Sequence, residues 1–416
     1  MIVYQIENII ISYKTIYDIR SVSTMLKGVK VLDLSRVFSG PYCSQMLAEL
    51  GAEVIKVEKP KKGDETRNWY PIKNKWSGYF MALNRSKKSI TLNLKKKKAV
   101  EIIKKLAREC DVVIENFSPS VASKLGIGYD ELKKENPSII YLSISAYGQT
   151  GNNKNKKGYD PIIQADTGIM DLTGERSGPP AKSMLPIADI SSGLYGAFTV
   201  TSALYKRERE GIGEYIDVSL YDSTISLMGI IAAIPFMGED EVPKRFGSNH
   251  PHRVPSKNYL SSDGYYIHII CNNKQWMELC DELEFQKKYR NKPYNTDMGR
   301  KENRQEIDNM IQKRIINQPS NFWLERLDKR GIPCSRVNNL SQVLNSQQIK
   351  DRDMIIKWNQ TDLGDTKGIG FPYKFYNTEA KIQHPVPKLG EHTHKILNQL
   401  GYDIKDIEVM ESQNVI

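Results

Sequence analysis

Asp189 stands in the run Met184–Phe198, MLPIADISSGLYGAF, with Ile187, Ala188 and Ile190 around it and Ser191, Ser192 and Gly193 behind it. A carboxylate among small and apolar residues at the head of a helical pattern has two readings. As an N-cap it accepts a backbone N–H of the first turn and stabilises the helix by about 1 kcal/mol. As a nucleophile it is a weakly hydrated anion, kept ionised by the helix N-terminal donors and able to attack an activated carbonyl. The two roles are compatible. Gly193 and Gly196 are expected to let a bulky ligand approach.

Other residue types offer less. The histidines His250 and His252, and again His392 and His394, sit at i and i+2, which does not place two ligands on one helix face, and His268 and His384 are isolated. No metal is expected. No G-x-S-x-G elbow occurs, so a serine hydrolase is not indicated. The five cysteines are odd in number and contain no C-x-x-C pair, which argues against a disulfide framework or a zinc site and fits a reducing cytoplasm.

The elements that must position Asp189 alternate from residue 29 onward. VKVLDL, AEVIKVE, SITLNL (89–94), DVVIENF and SIIYLSISAYG (138–148) read as strands. PYCSQMLAELG reads as a helix closed by Gly51, and AVEIIKKLARE as an amphipathic helix whose solvated start is KKKK at 95–98. A helix is expected from 189 to about 207, then a strand in GEYIDVSLYDS and a buried helix over 224–238. This rhythm predicts an α/β fold of βαβ units, a mostly parallel sheet with ligands at the carboxyl ends of its strands. No G-x-G-x-x-G follows any strand, so the NAD manner of binding is excluded. After 238 the texture turns rich in Pro, Gly and polar residues, and a smaller lobe follows with GYYIHIIC, NRQEIDNMIQKRI, NFWLERLDKRG and IPCSRV. KLGEHTHKILNQLGY (388–402) is expected as the final helix, back in the first lobe.

Length and composition set the bounds. At 416 residues, 39% hydrophobic and 26% charged, the chain is expected to fold into two lobes. No apolar run of about 18 residues exists, so no membrane span is expected. The first 24 residues lack a basic n-region and a cleavage site, and are expected to be a loosely attached extension or a misassigned start. The net charge of +11 is spread along the chain without a nucleic-acid reader motif, so no nucleic acid is expected. Positive charge also suits a small polyanionic ligand.

The ordered motifs LKGVKVLDLSRVFSGPYCSQMLAELGAEVIKVEKPKKGDETR, YFMALNRSKKSITLNLK, DVVIENFSP, GYDPIIQADTGIMDLTG, ADISSGLYGA and PKLGEHTHKIL resemble those of the class III CoA-transferases, from about Leu26 to the C-terminus. The resemblance implies a large Rossmann-like lobe with a parallel sheet built from both chain ends, a smaller α/β lobe and an interlocked homodimer. The expected division is 1–24 extension, 25–225 large lobe, 226–354 linker and small lobe, and 355–416 return to the large lobe.

The same resemblance implies that Asp189 is the nucleophile, passing through a mixed anhydride and an aspartyl-CoA thioester, with acyl-CoA and a small carboxylic acid as substrates and no tightly bound cofactor. It carries CoA contacts to Val37, Phe38, Ser39, Lys59, Leu92, Asn93, Leu94, Lys95, Asn116, Phe117, Lys124 and Lys157, with Tyr159 and Asp160 shaping the acyl pocket. Three phosphates call for cations and backbone donors, and the adenine for an apolar slot. Two departures matter. RFGSNHPHRVPSKNY (245–259) is not the glycine-rich loop of formyl-CoA transferase, which argues against oxalate as acceptor. The rival of the same fold, 2-methylacyl-CoA racemase, has a His where Tyr159 stands, and a phenol is a weak base for removing an α-proton at neutral pH.

Overall fold

The structure, a computed structural model, describes residues 24–238, 243–378 and 380–416. The expected extension 1–24 and the start of the loop at 239–242 lie almost wholly outside them. By its internal contacts the chain divides into two compact units. One comprises the chain up to Thr167 with Met184–Ile230 and Asp351–Ile416; the other comprises Gly168–Ser183 and Ile231–Lys350.

The first unit is built on six strands, β1 (Lys30–Asp33), β2 (Glu53–Glu58), β3 (Lys87–Thr91), β4 (Val112–Glu115), β5 (Ile140–Ser145) and β6 (Glu214–Ser219), in the order β3-β2-β1-β4-β5-β6. Every neighbouring pair is parallel, with Val31 opposite both Val54 and Val112. The central strands are apolar on both faces because both are covered. Alternation sends Leu32, Val113 and Tyr141 into one core, and Val31, Val112, Ile114 and Leu142 into the other.

The first core is closed by α2 (Lys97–Glu109), which buries Ala99, Ile102, Ile103 and Leu106. On the second face lie α1 (Ser39–Glu49) and, after the short α3 (Asp160–Asp166), the long α4 (Ile187–Glu210). The C-terminal helices α5 (Thr393–Gln399) and α6 (Ile404–Ser412) return to the first core through Ile396, Leu397, Ile407 and Met410. The chain order reverses between β1 and β4. That is the switch point at which doubly wound sheets take ligands.

The second unit has a three-stranded antiparallel sheet, Ser256–Leu260, Tyr266–Ile270 and Cys334–Arg336, with Tyr266–Ile270 in the middle. Helices Asn273–Glu282, Arg304–Ile315 and Ser320–Lys329 pack a core around Trp276, Ile307, Ile311 and Leu327.

Three elements differ from expectation. The strand expected at 89–94 begins two residues earlier, so Leu92–Lys95 leaves the sheet. The helix over 388–402 is not the last: Asp403, reciprocally capped with Asp406, starts another. The stretch 224–238 is two helices, Leu220–Leu227 and Gly229–Phe236, and the second buries nothing: Ile230 is 90% exposed and Phe236 85%. Its apolar composition reads as core, yet among the described residues it is covered only in part, at Ala232 and Ile234. No helix among the described residues is long and apolar enough to cross a membrane.

Candidate active site

The loop from β1 to α1 is held from below by buried charges. Asp33 accepts Ser35 N at 2.9 Å and Ser44 Oγ at 2.6 Å, and pairs with Lys87 Nζ at 3.2 Å. Burial pushes the Asp33 carboxyl up, but Lys87, Lys56 and the two serines outweigh it and hold it below its usual range. Lys56 Nζ reaches Ser35 O at 2.9 Å and Asp64 Oδ2 at 3.0 Å. Asp64 in turn accepts Val37 N at 3.1 Å. Val37 has φ +66°, a left-handed conformation costly for a β-branched residue, of the order of 1–3 kcal/mol. The Asp64 bond holds it there.

Asn116 ties this loop to the end of β4: Arg36 N donates to its Oδ1 at 2.8 Å, and its Nδ2 donates to Arg36 O at 2.7 Å. Beside this tie a cavity of about 520 Å³ lies over the carboxyl ends of β1, β2 and β3. Of the CoA contacts that the resemblance implies, Lys59, Leu92, Asn93, Leu94, Lys95 and Phe117 line it, together with Arg36 and Leu125. The arrangement offers lysine ammonium groups at the rim and an apolar floor, which suits a phosphorylated nucleotide.

Val37, Phe38, Ser39 and Asn116 do not line that cavity but form the adjoining β1–α1 and β4 loops. Lys124 ends a short helix whose Val121 lines it, and is itself exposed and outside the lining. Lys157 and Tyr159 are exposed, Tyr159 by 74%, ahead of α3. Sequence reasoning passed over Lys56 and Lys87. For Lys56 the signal was a single Lys within a doubly buried strand, which demands an acidic partner; Lys87, beside Lys88 at the start of the edge strand β3, carried no such signal.

Asp189 is not an N-cap. It is the third residue of α4, whose N-cap position is Pro186 with no side-chain cap. The first-turn donors go instead to Asp160: Ala188 N reaches its Oδ2 at 2.8 Å and Asp189 N at 3.4 Å, while Gln164 Nε2 donates to Oδ1 at 2.6 Å. Asp160 is thus buried, capping α4 from the preceding helix. The half-buried Asp189 carboxylate has neither hydrogen bond nor ion pair among the described residues. Burial, and then the charge of Asp160, push its pKa up to about 7. The expectation that cap donors keep it ionised is therefore reversed.

Gly193 and Gly196 also serve a different end from ligand access. A Cβ at Gly193 would stand 2.8 Å from Ser39 O and 2.9 Å from Tyr42 Cδ1; at Gly196 it would stand 3.0 Å from Leu142 Cδ2. They let α4 press onto the start of α1 and onto β5. Gly193 is one turn after Asp189, roughly 6 Å along the axis. The packing therefore sets the turn of α4 that follows Asp189 against Ser39 at the end of the strained Val37–Phe38–Ser39 loop, where the first amides of α1 lack helical acceptors.

Residues 26–393 match the family model described as CoA-transferase family III. The chain belongs to that family. The mouse succinyl-CoA:glutarate CoA-transferase is 37% identical to it over 396 residues, 94% of this chain and 90% of the relative. The acetyl-CoA:oxalate CoA-transferase of Acetobacter aceti is 34% identical over 366 residues, 88% and 92% of the two chains. A crystal structure of a CaiB/BaiF family protein from Brucella suis superposes with a TM-score of 0.80 at 36% identity, covering 91% of this chain and 99% of that one. This CoA-transferase thus has CoA thioesters as substrates and the mixed α/β fold of its relatives.

Proposed function

We propose that the transferase moves CoA from a donor acyl-CoA to an acceptor carboxylic acid through covalent chemistry at Asp189. The Asp189 carboxylate attacks the donor thioester carbonyl; the C–S bond breaks, leaving a mixed acyl–aspartyl anhydride and CoA thiolate. The thiolate then attacks the aspartyl carbonyl of the anhydride, releasing the donor carboxylate and leaving aspartyl-CoA thioester. The acceptor carboxylate attacks that thioester, giving a second anhydride and free thiolate. Attack of the thiolate on the acceptor carbonyl forms the new CoA ester and restores Asp189. Each step trades one activated acyl group for another, so no ATP enters. The amides of Ser39 and Gly40 at the head of α1, without acceptors among the described residues, supply donors for the tetrahedral oxyanions.

The observation that carries this reading is the Asp189 carboxylate, half-buried and without a partner among the described residues, on a helix whose first donors are occupied by Asp160. CoA occupies the cavity over β1–β3 with Lys59 and Lys95 at its phosphates, and leaves as product. The named relatives pair succinyl-CoA with glutarate and acetyl-CoA with oxalate, and we assign acceptors to the small carboxylic acids. The exposed apolar residues Phe198 and Tyr205 along α4 support the interlocked homodimer, in a cytoplasmic enzyme. No observation favours racemisation, the alternative chemistry of this fold. A matrix of acyl-CoAs against carboxylic acids, read by mass spectrometry, tests the reading. Wild type should form mixed CoA esters and Asp189→Asn none; exchange by the variant at the wild-type rate would refute it.

A further inference from the structure

A second, larger cavity of about 670 Å³ lies within the first unit and shares no wall residue with the one over the strand ends. One face of α1, from Tyr42 through Gln45 and Met46 to Glu49, forms a wall about 10 Å long at 1.5 Å per residue. Trp76, Met81 and Trp358 make the opposing surfaces apolar.

The polar end of this cavity is unfinished. Arg85 is 6% exposed, and its Nε donates to Glu49 Oε1 at 2.6 Å. Its two terminal nitrogens have no hydrogen-bond partner among the described residues. Gly368 leaves Nη1 uncovered, since a Cβ there would stand 3.4 Å from it. Tyr373 Oη and Gln45 Oε1, both buried and both on residues of this wall, are also without partners. Lys73 and Lys367 line the same cavity, so three cations face one buried acid. Tyr373 Oη is thus a buried donor and Gln45 Oε1 a buried acceptor left unpaired, and such groups cost free energy unless a ligand or water completes them.

We propose that this cavity is a binding site for an organic monocarboxylate with a hydrocarbon body, such as octanoate. The carboxylate accepts from the Arg85 terminal nitrogens and from Tyr373 Oη, and a water on Gln45 Oε1 completes the shell. The hydrocarbon lies along the α1 wall between Trp76 and Trp358. The site goes beyond the chemistry assigned to Asp189 and does not depend on it.

Trp76 and Trp358 provide the readout. Titration of the full-length protein with octanoate should change tryptophan fluorescence saturably, whereas octanol, which lacks the carboxylate, should bind at least about tenfold more weakly, as expected for lost charge-assisted bonds. Arg85→Met alone leaves Glu49 buried and unpaired, so the double variant Glu49→Gln/Arg85→Met is used, with Tyr373→Phe as a variant that removes only a partnerless hydroxyl. Both should weaken octanoate and leave octanol unchanged, while Asp189→Asn should bind octanoate like wild type. Octanol binding as tightly as octanoate, full octanoate affinity in the double variant, or no saturable change would overturn the proposal.

Discussion

Asp160 Oδ2 and the backbone N–H of Ala188 meet at 2.8 Å, so the carboxylate of one helix caps the next, immediately before Asp189. This single bond has two effects. It satisfies a donor of α4, and it puts a negative charge beside the residue proposed to react.

Asp160→Asn retains an oxygen for the cap but removes the charge. Asp160 raises the Asp189 pKa, so the variant should lower it from about 7, although burial, the larger cause, persists. The rising limb of kcat/KM against pH, which reports the free enzyme, should move to lower pH. Asp160→Ala should in addition cost about 1 kcal/mol, seen as a lower melting temperature.

Asp189→Asn should stabilise the protein in a pH-dependent way. A carboxylate raised in the folded state from about 4 to about 7 loses stability as pH climbs through that window, because the folded state holds a proton the unfolded state has released. The melting-temperature gain of the variant should be full above about pH 7 and vanish below about pH 4. Thermal melts across that range check it.

Asp64→Ala should destabilise by about 3–5 kcal/mol, because it leaves Lys56, wholly buried, without its ion-pair partner. Replacing both residues, as Lys56→Met/Asp64→Leu, should recover much of that loss in denaturant melts. Val37 N would still lose its acceptor, so activity should stay low while stability returns.

Gly193→Ala tests the positioning of the reactive helix. The added methyl meets backbone at Ser39 O, which cannot swing aside, and should cost about 1–3 kcal/mol. Displacing α4 from α1 should lower kcat more than it raises KM for acyl-CoA, since the cavity over β1–β3 is untouched.

The strands were legible because a parallel sheet covered on both faces writes Val and Ile in unbroken runs, as in Val112–Ile114. Asp189 was legible as a lone carboxylate in small surroundings, and the cavity residues 92–95 only through the resemblance to the class III CoA-transferases, since the strand pattern put 92–94 inside the sheet. Its capping partner was not. Asp160 lies 28 residues before Ala188, and nothing in either segment says that α3 will aim a carboxylate at α4. The glycines carried the same ambiguity: a missing side chain reads equally as room for a ligand or for a helix, and only the Ser39 carbonyl decides. The exposed helix Gly229–Phe236 misled because apolar composition states what must be covered, not by what.

The covalent role of Asp189 can be read directly with an acceptor acid labelled with oxygen-18 in its carboxylate. In the proposed sequence the acceptor oxygen bridges the second anhydride and stays on Asp189 when CoA departs with the acyl group. After turnover, peptide mass spectrometry should find the heavy isotope in the peptide containing Asp189 and in no other carboxylate. Formation of the labelled CoA ester with no isotope on Asp189 would contradict it.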